Sequence, residues 1–243
     1  MRKSCLSCTL YAGSRSKQRD RRRQNGNVIS VWDLIDRRLV MCHNIRTVYG
    51  LTEYPSDLFS RRLSMKDGIV VRKAEQEDVR QIAEILVEDW QTAYRGIIDS
   101  DFLDSMSADQ RYEIEVKRYQ KYIVVADGRE ILGYAWLEMS GDEPADCEVV
   151  ALYVRYSKRN SGIGKLLMHH AMTCFQEAGK KKMIVWCLKG NHESRKFYEK
   201  LGGKAFRPGT HPWGGKEYEM ISYLYDLASG PETERQVKEL DKP

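Results

Sequence analysis

A glycine-rich junction at residues 159–165 constrains the fold of this chain more than any other stretch. It reads Arg-Asn-Ser-Gly-Ile-Gly-Lys and follows a β-branched, apolar run at 148–154, which predicts a largely buried strand. After it, apolar residues recur with helical spacing from Ile163 to Ala178, which predicts an amphipathic helix. Amides in the first turn of a helix have no partners within the helix, and glycines let a ligand approach the backbone. The junction therefore predicts a binding site for an anion, most naturally a phosphate.

Two familiar nucleotide-binding motifs do not fit this junction. A Walker A loop requires a glycine where Arg159 stands and a serine or threonine after Lys165, where the chain has Leu166. A Rossmann fingerprint requires a third glycine at the position of Leu167. The pattern Arg-x-x-Gly-x-Gly instead resembles the signature of the GNAT superfamily of N-acetyltransferases, in which this loop holds the pyrophosphate of acetyl-coenzyme A. A helix start that merely packs tightly is the alternative.

A second motif lies downstream, after an apolar run at Lys182–Leu188 that predicts another strand. Asn191 is a natural helix N-cap and Gly202 a natural stop, so a short helix is bounded at both ends. Residues 191–202 read Asn-x-x-Ser-x-x-Phe-Tyr-x-Lys-Leu-Gly, which resembles the second half of the GNAT cofactor site. With both motifs in the expected order, the chain is identified as a member of that superfamily.

The resemblance covers residues 65–227 and implies a complete α/β domain. A Trp-x-x-x-Tyr-x-Gly segment at 90–96 is similar to one in many bacterial small-molecule members, the polyamine-type branch. The implied GNAT fold is a mixed, mostly antiparallel sheet of six to seven strands, flanked by helices, with a splayed central strand pair. Outside the motifs, apolar patterns predict a strand at 69–74, a helix at 76–90, a hairpin at 122–126 and 131–137, and a last strand at 218–227.

The resemblance implies a cofactor site built from backbone as much as from side chains. In the superfamily, exposed backbone groups of the strand before the loop pair with pantetheine, and here they belong to Leu152, Tyr153 and Val154. The amide near Val154 is the implied oxyanion donor, a contribution typically on the order of 3–4 kcal/mol. The implied cofactor-binding residues are these three with Arg159, Asn160, Ser161, Gly162, Ile163, Gly164, Lys165, Asn191 and Tyr198.

Two side chains are candidates for proton transfer. Tyr198 matches the family tyrosine that protonates the departing thiolate, and a phenol pKa of about 10 lies close enough to a thiol's, about 8.5, for that step. The alternative for Tyr198 is packing of the helix onto the sheet, the role expected of Phe197. Glu148 lies eleven positions before Arg159, an offset that resembles that of the catalytic glutamate in the histone-acetyltransferase branch. It is the candidate general base, and its alternative is a carboxylate that faces solvent or binds the substrate ammonium.

The acceptor site is expected among aromatic residues. Trp90, Tyr94, His211 and Trp213 come from segments that wall this site in relatives, and ring faces attract cations. Packing in the core or in loops is the alternative for each of them. Turn signals at Pro208-Gly209 and Gly214-Gly215 predict that residues 208–215 form a mobile loop over the substrate.

The resemblance implies an acetyl-CoA-dependent N-acetyltransferase that acts by direct attack in a ternary complex. The leading acceptor is a small primary amine: a polyamine, an amino acid derivative or an antibiotic. The alternatives are a protein N-terminal or lysine acetyltransferase and a CoA-binding regulatory module without turnover.

Charge divides the chain into two unequal parts. The net charge is +5, but residues 1–64 carry 13 Lys and Arg against 5 Asp and Glu, so the remainder is mildly acidic. Three hypotheses explain this basic N-terminal extension: a nucleic-acid-binding tail, a transit peptide, or a segment preceding a true start at Met65. The last is preferred, so nucleic acid is not expected as a partner. Residues 228–243 are predicted to be a polar tail.

Cysteines and hydropathy complete the expectations. Cys147, Cys174 and Cys187 lie in apolar contexts and are predicted to be reduced core residues. Cys5 and Cys8 have metal-type spacing but no second pair nearby, so no metal is expected. No run of eighteen apolar residues occurs, so no membrane partner is expected and the predicted compartment is the cytoplasm. A homodimer is left open.

Overall fold

A computed structural model describes residues 63–64 and 68–228. Its strands form one eight-stranded sheet in the order β1-β2-β3-β4-β5-β6-β8-β7, in which only the β5–β6 pair is parallel. This confirms the predicted mixed, mostly antiparallel sheet. The strands are β1 (Leu63–Ser64), β2 (Ile69–Lys73), β3 (Tyr122–Asp127), β4 (Glu130–Met139), β5 (Cys147–Val154), β6 (Lys182–Leu188), β7 (Lys204–Trp213) and β8 (Lys216–Asp226).

Helices cover both faces of the sheet and bury two hydrophobic clusters. On one face, α4 packs side chains such as Leu167 and Phe175 against the sheet. On the other face, α1 contributes Ile82 and Ile85, and α2 contributes Leu103. Each of these fully buried side chains stabilises the fold by roughly 1.5–3 kcal/mol. The helices are α1 (Val79–Ala93), α2 (Ser100–Asp104), α3 (Ala108–Glu115), α4 (Ile163–Glu177) and α5 (His192–Lys200).

The sheet extends slightly beyond the predicted domain. Leu63 and Ser64 pair antiparallel with Val71 and Val70, so strand β1 lies just before the predicted boundary at residue 65. The remaining calls on the N-terminal extension, including Cys5 and Cys8, and on the tail after residue 228 lie outside the described residues. The predicted domain boundaries therefore stay predictions. No helix of the described ranges is long and apolar enough to cross a membrane.

The two central strands diverge, as the family resemblance implied. β5 and β6 pair only through Cys147–Val149 and Met183–Val185. Beyond these residues β5 stays paired with β4, and β6 stays paired with β8. A gap therefore opens between residues 150–154 of β5 and residues 186–188 of β6.

A β-bulge in β5 decides which side chains face the same way. The register with β4 shifts between Trp136 and Leu137, which leaves Val150 as an extra residue in β5. Side chains alternate along a strand, so Glu148 and Tyr153, an odd number of positions apart, would otherwise lie on opposite faces. The extra residue restores them to one face, and both line the same cavity.

Residues 208–215 do not form the predicted loop. Most of them belong to β7, and only Gly214 and Gly215, with φ of +56° and +80°, make the turn to β8. The prediction was wrong because proline was taken as a turn signal. β7 is an edge strand of the sheet and carries a register shift between Ala205 and Pro208, where a missing amide donor is tolerated.

Candidate active site

The glycine-rich junction forms the helix start that the sequence predicts. α4 begins at Ile163, and Gly162 precedes it with φ of +89°, a left-handed conformation that glycine adopts without strain. Asn160 is also left-handed, with φ of +59°. Within the described part of the chain, no amide of residues 160–165 donates a hydrogen bond. The turn therefore offers a row of unbonded N–H groups to an anion.

Arg159 makes an interaction that the sequence did not predict. Its guanidinium forms an ion pair with Asp89 on α1 and lies 5.1 Å from the ring centroid of Tyr156. Burial raises the pKa of Asp89, while the hydrogen bond and charge of Arg159 act in the opposite direction. Asp89 thus balances the positive charge of Arg159, which the sequence analysis had assigned to binding an anion. The ion pair also links the loop to α1.

The splayed part of β5 turns two amides into the gap. Arg155 donates its amide to the carbonyl of Leu132 at 2.9 Å, and hydrogen-bonded pairs alternate along an antiparallel ladder. Every second amide back from Arg155 bonds to β4, so the amide of Tyr153 does. The amides of Leu152 and Val154 face away from β4. They therefore have the orientation that the prediction requires, and their contact with the cofactor stays a prediction. For Tyr153 the structure differs, because the alternation directs its backbone to β4 and its side chain to the cavity.

Tyr198 is buried between groups from both sides of the gap. It lies on α5 and contacts the rings of Phe197 and Tyr223, with centroids at 5.3 and 5.8 Å. Burial raises the pKa of Tyr198 well above its ordinary value, and nearby Cys187 of β6 and Tyr153 of β5 act in the same direction. The expectation based on an ordinary phenol pKa is corrected: in this environment Tyr198 is a weaker acid and keeps its proton.

The predicted ends of α5 are confirmed. The side-chain oxygen of Asn191 accepts a hydrogen bond from the amide of Ser194 at 3.1 Å, and Gly202 has φ of +90° after the last turn. Asn191 is buried at the start of the helix that carries Tyr198. Its cap fixes where α5 begins relative to the gap. The predicted contact of Asn191 with pantetheine stays a prediction.

A cavity of about 450 Å³ lies beside the gap, and all four predicted acceptor-site residues line it. Trp90 is at their centre: its ring contacts Tyr94 and Trp213 edge-on at 5.1 and 5.4 Å. Its Nε1 donates to the hydroxyl of Tyr153 at 2.8 Å. His211 packs on Trp213 with centroids 4.4 Å apart, and burial lowers the pKa of His211 to about 4.

Glu148 lines this cavity together with a second carboxylate. It is 6% exposed and pairs in register with Glu138 on β4, which also lines the cavity. Glu138 forms an ion pair with Lys121 and accepts a hydrogen bond from Nε1 of Trp136 at 3.3 Å. Burial removes the solvent-facing alternative for Glu148. General base and ammonium partner stay predictions for it.

An ionic cluster in the cavity wall was missed by the sequence analysis. Glu115 accepts hydrogen bonds from Arg118 at 2.9 and 3.0 Å, and also bonds Arg111 and the hydroxyl of Tyr122. Burial acts to raise the pKa of Glu115, but the charges of Arg118 and Arg111 outweigh it and the pKa falls to about 2. The helical spacing of the three charges signals pairing. Nothing in that spacing signals their burial.

Comparison with known sequences shows which family the chain belongs to. A sequence model of the acetyltransferase (GNAT) family matches residues 79–203, just over half of the chain. The chain belongs to the GNAT acetyltransferase family. This GNAT protein is 28% identical over 173 residues to a probable N-acetyltransferase of Mycobacterium tuberculosis, covering 66% of the chain and 96% of the relative. It is 28% identical over 127 residues to an uncharacterized N-acetyltransferase of Bacillus subtilis, covering 51% and 73%.

Solved structures share the fold of this GNAT protein. The PaiA N-acetyltransferase of Thermoplasma acidophilum, in complex with coenzyme A, superposes with a TM-score of 0.52 at 21% identity, covering 65% of this chain and 99% of that one. A putative acetyltransferase of Salmonella typhimurium, with its cofactor acetyl-CoA, gives 0.52 at 17% identity, covering 68% and 98%. The predicted superfamily and fold are confirmed, and the chain is an acyltransferase of the N-acetyltransferase type. Its branch stays a prediction.

Proposed function

We propose that this enzyme transfers the acetyl group of acetyl-CoA to the primary amine of a small molecule, by direct attack in a ternary complex. The observation that carries the proposal is the order of features along one segment. Buried Glu148 lies at the cavity, the amides of Leu152 and Val154 face the gap, and the unbonded amides of residues 160–165 follow. An extended cofactor with an anionic end and a thioester end fits this order.

The cofactor assignment is supported by the free backbone groups. The amides of residues 160–165, that of Ser161 among them, with the side chain of Lys165, would hold the diphosphate. The hydroxyl of Ser161 donates to the carbonyl of Lys158 at 2.5 Å. Pantetheine would lie in the gap as an additional strand and bond the backbone of β5 where β6 has diverged. The solved relatives of Thermoplasma acidophilum and Salmonella typhimurium hold coenzyme A and acetyl-CoA, which is consistent with this assignment.

In the proposed reaction the neutral amine attacks the thioester carbonyl carbon and an N–C bond forms. The carbonyl electrons move to oxygen, and an amide of β5 stabilises that oxyanion. As the C–S bond breaks, the thiolate takes the proton of Tyr198, and Glu148 accepts the proton that the amine loses. The products are an N-acetylated amine and the free thiol of CoA. Proton return from Glu148 to Tyr198 through solvent completes the cycle.

The oxyanion donor is assigned to one of two amides. Val154 was the sequence-based candidate, and Leu152 has the same orientation toward the gap. Leu152 lies two positions nearer to Glu148, the proposed base. Since base and oxyanion donor must serve the same reacting carbon, Leu152 fits that requirement better.

Thiol release tests the reaction. The full chain is mixed with acetyl-CoA and a panel of primary amines, and the free thiol is followed with a thiol reagent. We expect amine-dependent release with one or more small amines. Release only with peptides would favour the protein acetyltransferase alternative. Acetyl-CoA binding without release on any amine or peptide would favour a regulatory module.

The diphosphate site is tested by Gly162→Val. A side chain at Gly162 meets no atom within 4 Å, but its positive φ makes any residue other than glycine strained by roughly 1–2 kcal/mol. The loop should shift, and the Kd for CoA in calorimetry should rise by roughly tenfold or more, the loss of one or two amide contacts. Gly128→Val is the matched control, since Gly128 also has a positive φ and open space but lies in the β3–β4 turn. Equal CoA binding by the two variants would contradict the assignment.

A further inference from the structure

The cavity beside the gap has an unusually aromatic wall. It is formed by side chains from α1, α2, β4, β6 and β7, so the apolar surface surrounds the space on several sides. The volume of about 450 Å³ falls in the range of small-molecule sites. The six aromatic residues that matter here are Trp90, Tyr94, Phe102, Trp136, Trp186 and Trp213.

The polar edges of these rings are largely used inside the protein. Trp90, Trp136 and Trp186 donate their Nε1 hydrogens to one hydroxyl and two carboxylates of the chain, at 2.8, 3.3 and 3.1 Å. These hydrogens are therefore not available to a ligand. These three rings present hydrocarbon surface and π-faces to the cavity. Nε1 of Trp213 and Nε2 of His211 are buried without a hydrogen-bond partner among the described residues, so the wall keeps two polar atoms with unused hydrogen-bonding capacity.

The charged groups of the wall balance one another. Four carboxylates and three guanidinium groups line the cavity, and Lys121 pairs with one of the carboxylates from behind. With His211 neutral near pH 7 because burial lowers its pKa to about 4, the wall carries no net formal charge. The ion pairs of the wall include Glu115 with Arg111 and Arg118, Asp142 with Arg207, and Glu138 with Lys121.

We infer that the acceptor is an apolar monoamine, with an aromatic or bulky hydrocarbon body and one positive charge, rather than a polyamine. The inference rests on the proposed function. A ligand with several positive charges would lose its hydration on entering the cavity, and the wall has no excess negative charge to compensate. The desolvation of such a ligand is therefore costly in free energy. A single ammonium can be held beside Glu148 and against ring faces, and the hydrocarbon body gains from burial.

The test compares three acceptors in the thiol-release assay with the full chain: 2-phenylethylamine, spermidine, and a short peptide with a free N-terminus. We expect kcat/KM for 2-phenylethylamine to exceed that for each of the other two by roughly tenfold or more, the size of a few buried methylene groups. A kcat/KM for spermidine that equals or exceeds it overturns the inference and leaves the proposed function standing. A kcat/KM for the peptide that equals or exceeds it overturns the inference and favours the protein acetyltransferase alternative. Release with none of the amines overturns both.

A matched pair of variants tests the charge argument directly. Thr210 lines the cavity from the exposed edge of β7, so its replacement should not disturb folding. Thr210→Glu adds a negative charge and should lower the ratio of kcat/KM for 2-phenylethylamine over spermidine severalfold. Thr210→Gln has nearly the same size without the charge and should leave the ratio close to that of the unmodified chain. A ratio that shifts equally in both variants contradicts the role of wall charge.

Discussion

Tyr198 illustrates how a buried position changes the chemistry of a side chain. Its pKa is raised first by burial and then by Cys187, so the phenol stays neutral at any pH at which the protein functions. A neutral donor beside the gap can supply a proton only to a strong base that forms next to it. The thiolate of CoA becomes such a base because it forms in the same buried gap, where desolvation raises the pKa of a thiol, as it raises that of nearby Cys187 to about 12. The environment therefore suits a donor that acts late in the proposed reaction.

The first prediction removes this proton. Tyr198→Phe keeps the ring contacts with Phe197 and Tyr223 but loses the hydroxyl, so kcat should fall by roughly tenfold or more. The Kd for acetyl-CoA, measured by calorimetry, should stay within a factor of about two, because the loop amides are untouched. Tyr225→Phe is the control: it also loses a buried hydroxyl, which donates to the carbonyl of Tyr198 at 2.9 Å. Unchanged kcat in Tyr198→Phe would leave this residue with a packing role alone.

At the scale of residues, sequence reasoning succeeded where the signal was local. Asn191 as a cap and Gly162 at the helix start follow from backbone chemistry within a few positions. The ion pair between Arg159 and Asp89 joins residues 70 positions apart, and no local pattern encodes such a contact. The charge of Arg159 was therefore assigned to a ligand, when a protein carboxylate already balances it.

At the scale of elements, the two strand–loop–helix units were predictable because each carries its own start and stop signals. β6 was predicted with its observed bounds, and α4 begins at Ile163, the first residue of the predicted apolar face. β7 was misread because edge strands tolerate proline, and a chain read alone does not show which strand lies at an edge. α2 and α3 were not predicted: one has five residues, and the other buries charged residues on the side where an apolar stripe is expected.

The second prediction concerns α3. Its Glu115 has a pKa lowered from 4.5 to about 2, so it stabilises the folded state by about 3 kcal/mol above pH 4.5, and this contribution is lost as the pH falls toward 2. Glu115→Gln should therefore lower the free energy of unfolding in urea by about 3 kcal/mol at pH 7. The deficit should begin to shrink below pH 4.5. Glu113→Gln, on the exposed side of the same helix, should cost less than about 0.5 kcal/mol. Equal losses for the two variants would show that the buried cluster does not stabilise the fold.

At the scale of the whole molecule, the site depends on relations that no single segment contains. The gap exists because β5 and β6 part after three residue pairs. Glu148 and Tyr153 face the same cavity because β5 has one extra residue. The splayed pair was expected only through the family resemblance, since periodicity along either strand does not reveal divergence. The cavity is closed by β7 and β8, which follow all other elements in the chain, and by α1, which precedes almost all of them. The acceptor site therefore forms only when the two ends of the domain meet.

The last prediction uses His211, which lies where these ends meet. Its pKa is lowered from 6.5 to about 4 by burial alone, so the unfolded chain takes up a proton at a pH where the folded chain does not. The folded state therefore loses stability as the pH falls below 6.5, and the loss attributable to His211 between pH 7 and pH 5 is about 2 kcal/mol. In His211→Gln the fall in the free energy of unfolding over this interval, measured by urea denaturation, should be smaller by that amount. His192→Gln, at an exposed histidine at the start of α5, should leave the fall unchanged. If His211→Gln loses as much stability as the unmodified chain, His211 is protonated in the folded protein and its burial against Trp213 does not hold in solution.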